Sequence, residues 1–150
     1  MAIAYLGLGT NLGCREENLL RASHLINERV GRVTSLSSFY ETEPWGFTSS
    51  HAFLNAALGV ETSLTPWQLL DLTKAIEREM GRTAKSTGGV YADRLIDIDI
   101  LLYEDRVLQD PLLTIPHPLM LNRSFVMLPL IEIAPFAFHP IAGKPLFLLN

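Results

Sequence analysis

Apolar residues recur along this chain with different periods, and the changes of period mark out its elements. Residues 1–9 are small and aliphatic almost without a break, which predicts a strand buried on both faces. Across residues 16–30 the apolar positions Leu19, Ala22, Ile26 and Val30 fall at steps of three or four, the stripe of an amphipathic helix, and Gly31 suits its end. Residues 32–42 and 53–63 return to strand-like runs, the second with partial alternation. A second helix opens at Thr65-Pro66-Trp67-Gln68, where Thr65 suits the N-cap, Pro66 the first helical position and Gln68 a capping box. Leu69, Leu72, Ile76 and Met80 form its stripe and Gly81 its end. From Leu95 to Tyr103 β-branched and aliphatic residues predict a further strand. A last helix is expected over residues 122–133, starting late or bent because of Pro129, followed by an apolar tail broken by Pro and Gly. The order β-α-β-β-α-β predicts an α+β, ferredoxin-like antiparallel sheet with helices on one face, plus C-terminal extra elements. No internal repeat or linker divides the chain, so residues 1–150 are read as a single domain.

One departure from this patterning carries chemistry. The strand after Leu95 contains Asp97 and Asp99, although Asp is depleted in strands. Side chains alternate on a strand, so the two carboxylates share one face while Ile96, Ile98 and Ile100 share the other. Their Cα atoms lie roughly 6–7 Å apart. Like charges this close repel unless a cation lies between them, and hard oxygen donors suit magnesium. An edge strand whose acids face water is the plainer alternative, disfavoured by the apolar segments on either side.

Other polar groups are read against plainer explanations. Gly7, Gly9 and Gly13 around Thr10-Asn11 lack the Lys-Ser/Thr of a P-loop and the dinucleotide spacing, which leaves a tight strand-to-helix turn. Asn55 interrupts an apolar run and needs hydrogen-bond partners, either nearby backbone or the polar edge of a heterocycle. Trp45 and Phe47 on the loop Glu43-Pro44-Trp45-Gly46-Phe47 either fold onto the core or line a site for a flat ligand. Residues 83–92 are polar and Gly-containing and directly precede the acidic strand, a candidate lid. A solvated helix end alone explains Glu77 and Arg82, whereas Arg123 near the start of the last helix suits an anion.

Composition narrows the class. The chain has 48% hydrophobic and 19% charged residues, an ordinary globular balance. Its net charge of −4 argues against a generic nucleic-acid binder. The single Cys14 forms no internal disulfide and fits a reducing compartment, and no signal peptide or membrane-spanning run is read. A cytoplasmic protein is expected, monomeric, with small-molecule partners and neither nucleic acid nor membrane. The four His residues show no zinc-ligand spacing. Acids on one strand face, with Arg82, Lys85, Arg94 and Arg123 around them, suggest metal-assisted phosphoryl chemistry. A non-catalytic ferredoxin-like binding module and a metal-dependent phosphohydrolase are the rival readings.

Several stretches then point to one family. They are Gly-Leu-Gly-Thr-Asn-Leu-Gly, Ser37-Ser38-Phe39-Tyr40-Glu41-Thr42, Phe53-Leu54-Asn55-Ala56-Ala57, Ile76-Glu77-Arg78-Glu79-Met80-Gly81-Arg82, Asp93-Arg94-Leu95-Ile96-Asp97-Ile98-Asp99-Ile100, Ile115-Pro116-His117-Pro118 and Asn122-Arg123-Ser124-Phe125. Together they resemble the 6-hydroxymethyl-7,8-dihydropterin pyrophosphokinases of folate synthesis, and the resemblance spans nearly the whole chain. It implies transfer of pyrophosphate from ATP to the pterin alcohol, with AMP leaving. It implies that Asp97 and Asp99 bind two magnesium ions and, with Arg82 and Arg94, form the catalytic set. Thr42, Pro44, Trp45, Phe53, Asn55, Tyr91, Asp97 and Phe125 would surround the pterin. Glu77, Arg82, Lys85, Arg94, Ile98, Thr114, His117 and Arg123 would bind ATP, with Ile98 near adenine. The chain departs from the family pattern at Val90 and Ala84, where arginines are frequent, and at Leu112, Pro118 and Glu43. Tyr91 would replace an aromatic lid residue and Lys85 would partly compensate for Ala84.

Overall fold

The computed structural model describes residues 1–42, 52–81 and 95–149. Its main sheet is built from β1 (Ala2–Thr10), β2 (Arg32–Leu36), β3 (Tyr40–Thr42), β4 (Phe53–Thr62) and β5 (Asp97–Tyr103). The strand order is β2-β4-β1-β5, with β3 also paired to β4, and every pairing is antiparallel. This is the expected ferredoxin-like arrangement: α1 (Arg15–Arg29) links β1 to β2 and α2 (Pro66–Gly81) links β4 to β5.

The larger core lies between the sheet and α1 and α2. Leu19, Ala22 and Ile26 of α1 are fully buried and Val30 nearly so, which matches the apolar stripe. On α2 the buried positions are Leu69, Thr73, Ile76 and Met80. Thr73, four residues after Leu69 and three before Ile76, continues the buried stripe in place of Leu72, and its hydroxyl is satisfied by donating to the Leu70 carbonyl at 3.0 Å. The capping box is formed as read: Gln68 N–H donates to Thr65 Oγ1 at 3.2 Å, and Thr65 N–H donates to Gln68 Oε1 at 2.9 Å.

One expectation needs correction and two become more specific. The run 32–42 is two strands, because the chain bulges at Ser37–Phe39 and resumes pairing with β4 one residue out of step. The last helix, α3 (Ser124–Ile133), starts late, as one of the two alternatives had it, after a 3-10 turn at Met120–Asn122. Pro129 lies inside α3. α1 and α2 share one face of the sheet, as expected, whereas α3, one of the extra elements, takes the other. Met127 and Leu130 of α3 pack with Met120, Leu146, Ala57, Leu101 and Tyr5 in a second core on the opposite side of the sheet. The ribbon of β6 (Leu108–Gln109) and β7 (Thr114–Ile115) lies beside β5, and the tail forms the hairpin of β8 (Phe138–His139) and β9 (Lys144–Pro145). Among the described residues no helix is long and apolar enough to cross a membrane.

Candidate functional site

The site is a row of side chains on the α3 face of the sheet. Across the strands the register runs Tyr40–Asn55–Gly9–Asp97, and one step away Ala57–Gly7–Asp99. Partners in a ladder point the same way, so Asn55 and both acids share the face that α3 partly covers. The alternation on β5 is as expected. Ile96, Ile98 and Ile100 are 5%, 3% and 5% exposed and lie in the larger core, while Asp97 and Asp99 are half-buried on the other face.

Glycine keeps the middle of this row open. A Cβ added at Gly9 would stand 3.2 Å from Asn55 Oδ1 and 3.7 Å from the Phe53 ring. The strand then enters the turn expected at its end, where Gly13 has φ +67°. Asn18 closes that turn, its Nδ2 donating to Thr10 Oγ1 at 3.2 Å and to the Leu12 carbonyl at 2.8 Å.

Asn55 is buried and bonded within the sheet. Its Nδ2 donates to Thr42 Oγ1 at 2.8 Å and to the Tyr40 carbonyl at 3.4 Å. Thr42 is the ladder partner of Phe53, so Thr42, Phe53 and Asn55 form one polar-aromatic corner on this face. The plainer reading of Asn55 is met, since it bonds a neighbouring strand; it also sits in the row that contains the acids.

At the other end the charges gather. Asp99 is pushed up to about 7, first by burial and then by the negative charges of Asp97 and Glu77; Lys74 and Arg123 act in the opposite sense. Burial also raises Glu77, with Asp97 adding to it, against a bond from Ile98 and the charge of Lys74. Glu77 reaches from α2 to the outer edge of β5, where its Oε2 accepts from the Ile98 N–H at 2.7 Å. Lys74 Nζ lies 3.4 Å from the other oxygen of Glu77. Ile98 therefore meets this edge through its backbone, because its side chain lies in the core.

On the next strand-like segment His117 N–H donates to the Leu101 carbonyl at 3.0 Å, which fixes the Pro116-His117 stretch along β5. His117 Nδ1 accepts from the Leu119 N–H at 3.2 Å, so in the neutral ring Nε2 carries the proton. Burial and the neighbouring Arg123 charge hold its pKa below the usual value, and Asp97 pulls the other way. Arg123 stands at the N-cap of α3, and its guanidinium lies 5.5 Å from the centre of the Phe125 ring. Thr114 is half-buried in β7, with its hydroxyl donating to the Asp110 carbonyl at 3.2 Å.

Of the residues singled out in the sequence, the structure thus brings Thr42, Phe53, Asn55, Asp97 and Asp99 onto one face. It puts Glu77 with the Ile98 backbone at the edge, and Arg123 within electrostatic reach of Asp99 and His117. Pro44, Trp45, Phe47, Arg82, Lys85, Tyr91 and Arg94 lie outside the described residues, as does the candidate lid at 83–92. Lys74 was not singled out in the sequence. Its signal was present in the Lys74–Glu77 spacing, three residues apart on one helix face.

Among the described residues no three His, Cys, Asp or Glu side chains converge as a ready cage for a metal ion. A cation held by Asp97 and Asp99 would take its other ligands from water or from a bound substrate. That donor set suits magnesium, which keeps several waters and shares phosphate oxygens with few carboxylates.

Known proteins resemble this chain over nearly its whole length. The sequence model of the 7,8-dihydro-6-hydroxymethylpterin-pyrophosphokinase (HPPK) family matches residues 5–135. A 2-amino-4-hydroxy-6-hydroxymethyldihydropteridine pyrophosphokinase of Porphyromonas gingivalis is 54% identical over 146 residues, covering 97% of this chain and 99% of that protein. Its namesake from Aquifex aeolicus is 44% identical, over 97% of this chain and 89% of the other. A folic acid synthesis protein of Schizosaccharomyces pombe is 40% identical across 96% of this chain, which corresponds to 19% of that longer protein. The HPPK-DHPS crystal structure of Plasmodium falciparum shares the fold with a TM-score of 0.79 at 18% identity; the match covers 99% of this chain and 43% of that one.

Proposed function

The chain belongs to the 7,8-dihydro-6-hydroxymethylpterin-pyrophosphokinase family, and from that premise we propose how its residues carry the reaction. The protein pyrophosphorylates hydroxymethyldihydropterin in folate synthesis. In our reading the donor is ATP, the leaving product is AMP, and residues 1–150 act as a single pyrophosphokinase domain.

The observation that carries this reading is the shared face. Asn55 and Asp97 flank Gly9 from opposite sides, so a flat ring against Asn55 has its substituent directed along the sheet toward the acids. Thr42, Phe53 and Asn55 hold the pterin, with Phe125 against its ring and Pro44, Trp45 and Tyr91 completing the pocket. Glu77, Thr114, His117 and Arg123 bind ATP together with Lys85, and Ile98 meets the adenine at the edge of β5. Arg82 and Arg94, with Arg123, offset phosphate charge as the hydroxymethyl oxygen attacks the β-phosphorus. The protonated Nε2 of His117 donates to a phosphate oxygen.

Asp97 and Asp99 hold magnesium, and we infer two ions. Held by these two carboxylates, magnesium would supply positive charge to offset that of the phosphates. The acids suit this role because burial, and then the charges of Asp97 and Glu77, make the ionised form of Asp99 costly without a cation beside it.

The test is product identity. Protein supplied with magnesium, ATP and 6-hydroxymethyl-7,8-dihydropterin is expected to release AMP in proportion to pterin consumed. ADP or inorganic phosphate as the product, or AMP released equally without pterin, would contradict the reading.

A further inference from the structure

We propose that Glu132 of α3 is a positioning residue for the pterin side of the site, acting through the bulge between β2 and β3 on Asn55. The inference rests on the reading that Asn55 and Thr42 hold the pterin.

The bulge creates the need. From Leu36 to Tyr40 the chain advances four residues, while the partner strand goes from Leu58 to Asn55, three residues. One residue is therefore extra, and the ladder is interrupted. Ser37 repairs the inner side: its N–H donates to the Ala57 carbonyl at 2.9 Å, and its Oγ accepts from the Ala57 N–H at 2.8 Å. The outer side is repaired from another layer. Ser38 N–H lies 3.0 and 3.2 Å from the two Glu132 carboxylate oxygens, and Ser38 Oγ donates to Oε2 at 3.0 Å. Tyr40 donates its hydroxyl to Oε1 at 2.6 Å.

Three donor groups of the bulge thus end on one carboxylate, and Glu132 is the only charged residue in α3. The bonds from Tyr40 and Ser38 hold its pKa below the ordinary value, so it is ionised at neutral pH and accepts all three. The consequence falls two residues further on. The Tyr40 carbonyl and Thr42 Oγ1 are the acceptors that take the Asn55 amide protons. With its N–H groups turned to β3, Asn55 presents its carbonyl oxygen toward Gly9 and the open row. Glu132 sets where β3 lies, β3 sets the rotation of the Asn55 amide, and the amide sets which edge of a heterocycle it can read. Glu132 itself touches no substrate.

Glu132→Gln keeps the size but exchanges one acceptor oxygen for an amide NH2, a donor that faces the donors of Ser38 or Tyr40. Tyr40→Phe removes a single bond. Both are compared with Asn55→Ala, by equilibrium titration with the pterin and with a non-hydrolysable ATP analogue plus magnesium, and by steady-state kinetics. Glu132→Gln is expected to raise Kd and KM for the pterin about tenfold, a loss of about 1.4 kcal/mol. Tyr40→Phe should give a smaller rise, and the double variant should be no worse than Glu132→Gln by more than about twofold, because the two act in series. Affinity for the nucleotide analogue, and kcat at saturating pterin, should stay within about twofold of wild type. Unchanged pterin affinity in Glu132→Gln, with Asn55→Ala impaired, overturns the positioning role and leaves the pterin-pocket reading standing. Equal losses of pterin and nucleotide affinity also overturn it, since they mark a general structural role. Wild-type pterin binding by Asn55→Ala would overturn the pocket reading and this inference together. Should Glu132→Gln not fold, unchanged pterin affinity in Tyr40→Phe overturns the proposal and a selective rise supports it.

Discussion

The two faces of the sheet contrast most clearly on β5, where alternate residues serve opposite ends. Toward α1 and α2 the strand presents Ile96, Ile98 and Ile100, closed in by the larger core. Toward α3 it presents Asp97 and Asp99, beside glycines and polar groups. The first face is filled; the second holds the smaller core at one end, while toward the other Gly9 leaves no side chain between Asn55 and Asp97 and like charge accumulates. One strand thus carries stability and chemistry on a two-residue period, and substitutions one position apart should separate them.

The largest effect is expected at the acids. Asp97→Asn or Asp99→Asn should lower kcat/KM at least about a thousandfold, several kcal/mol of lost charge stabilisation, while thermal unfolding shows a folded protein of equal or higher Tm. Turnover near wild type in either variant would contradict the contrast.

Ile98→Ala, one residue from either acid, should do the reverse. It should cost about 2–4 kcal/mol of stability in denaturant unfolding through the cavity it leaves. Turnover per folded molecule should change by only a few fold. A thousandfold kinetic loss there would mean that the faces are not separable.

A subtler change tests the open row. Gly9→Ala places a methyl 3.2 Å from Asn55 Oδ1, tighter than ordinary contact. Pterin affinity should fall by about fivefold, roughly 1 kcal/mol, and nucleotide affinity should not. Titration of both ligands decides it.

The smallest effect is in pH. Asp99 holds its proton up to about 7 in the folded, metal-free protein, whereas in the unfolded chain it releases it near ~4. Between those values the folded state binds more protons, so stability falls as pH rises from about 4 to 7 and levels off above. Burial of Glu77 acts in the same direction. Metal-free protein should melt a few degrees lower at pH 8 than at pH 5.5, a difference that Asp99→Asn should largely remove. A rising Tm over that interval would contradict the assigned burial of the acids.

The filled face was legible in the sequence because burial leaves a period. Leu19, Ala22 and Ile26 mark α1, and the Thr65–Gln68 box marks the start of α2 through bonds between residues only three apart. The acids were legible for the converse reason, since two carboxylates inside an aliphatic strand break its pattern. The bulge at Ser37–Phe39 was not, because serine hydroxyls and a carboxylate 94 residues away replace the missing ladder bonds. The side of the sheet that α3 takes was hidden too. Apolar residues occupy nearly its whole circumference, from Phe125 to Ile133, so no stripe selects a face. For Glu132 the available signal was a lone carboxylate in an apolar helix. Gly9 read as part of a turn, whereas its place between Asn55 and Asp97 depends on register, which the local pattern does not contain.

The central claim is that the α3 face holds nucleotide through a cation on Asp97 and Asp99. Calorimetric titration of a non-hydrolysable ATP analogue, with and without magnesium, into wild type and the Asp97→Asn/Asp99→Asn double variant tests it most directly. Strong binding that requires magnesium in the wild type, and loses that requirement together with most of its affinity in the double variant, is the predicted result. Binding that is independent of magnesium, or equally magnesium-dependent in both proteins, would contradict it.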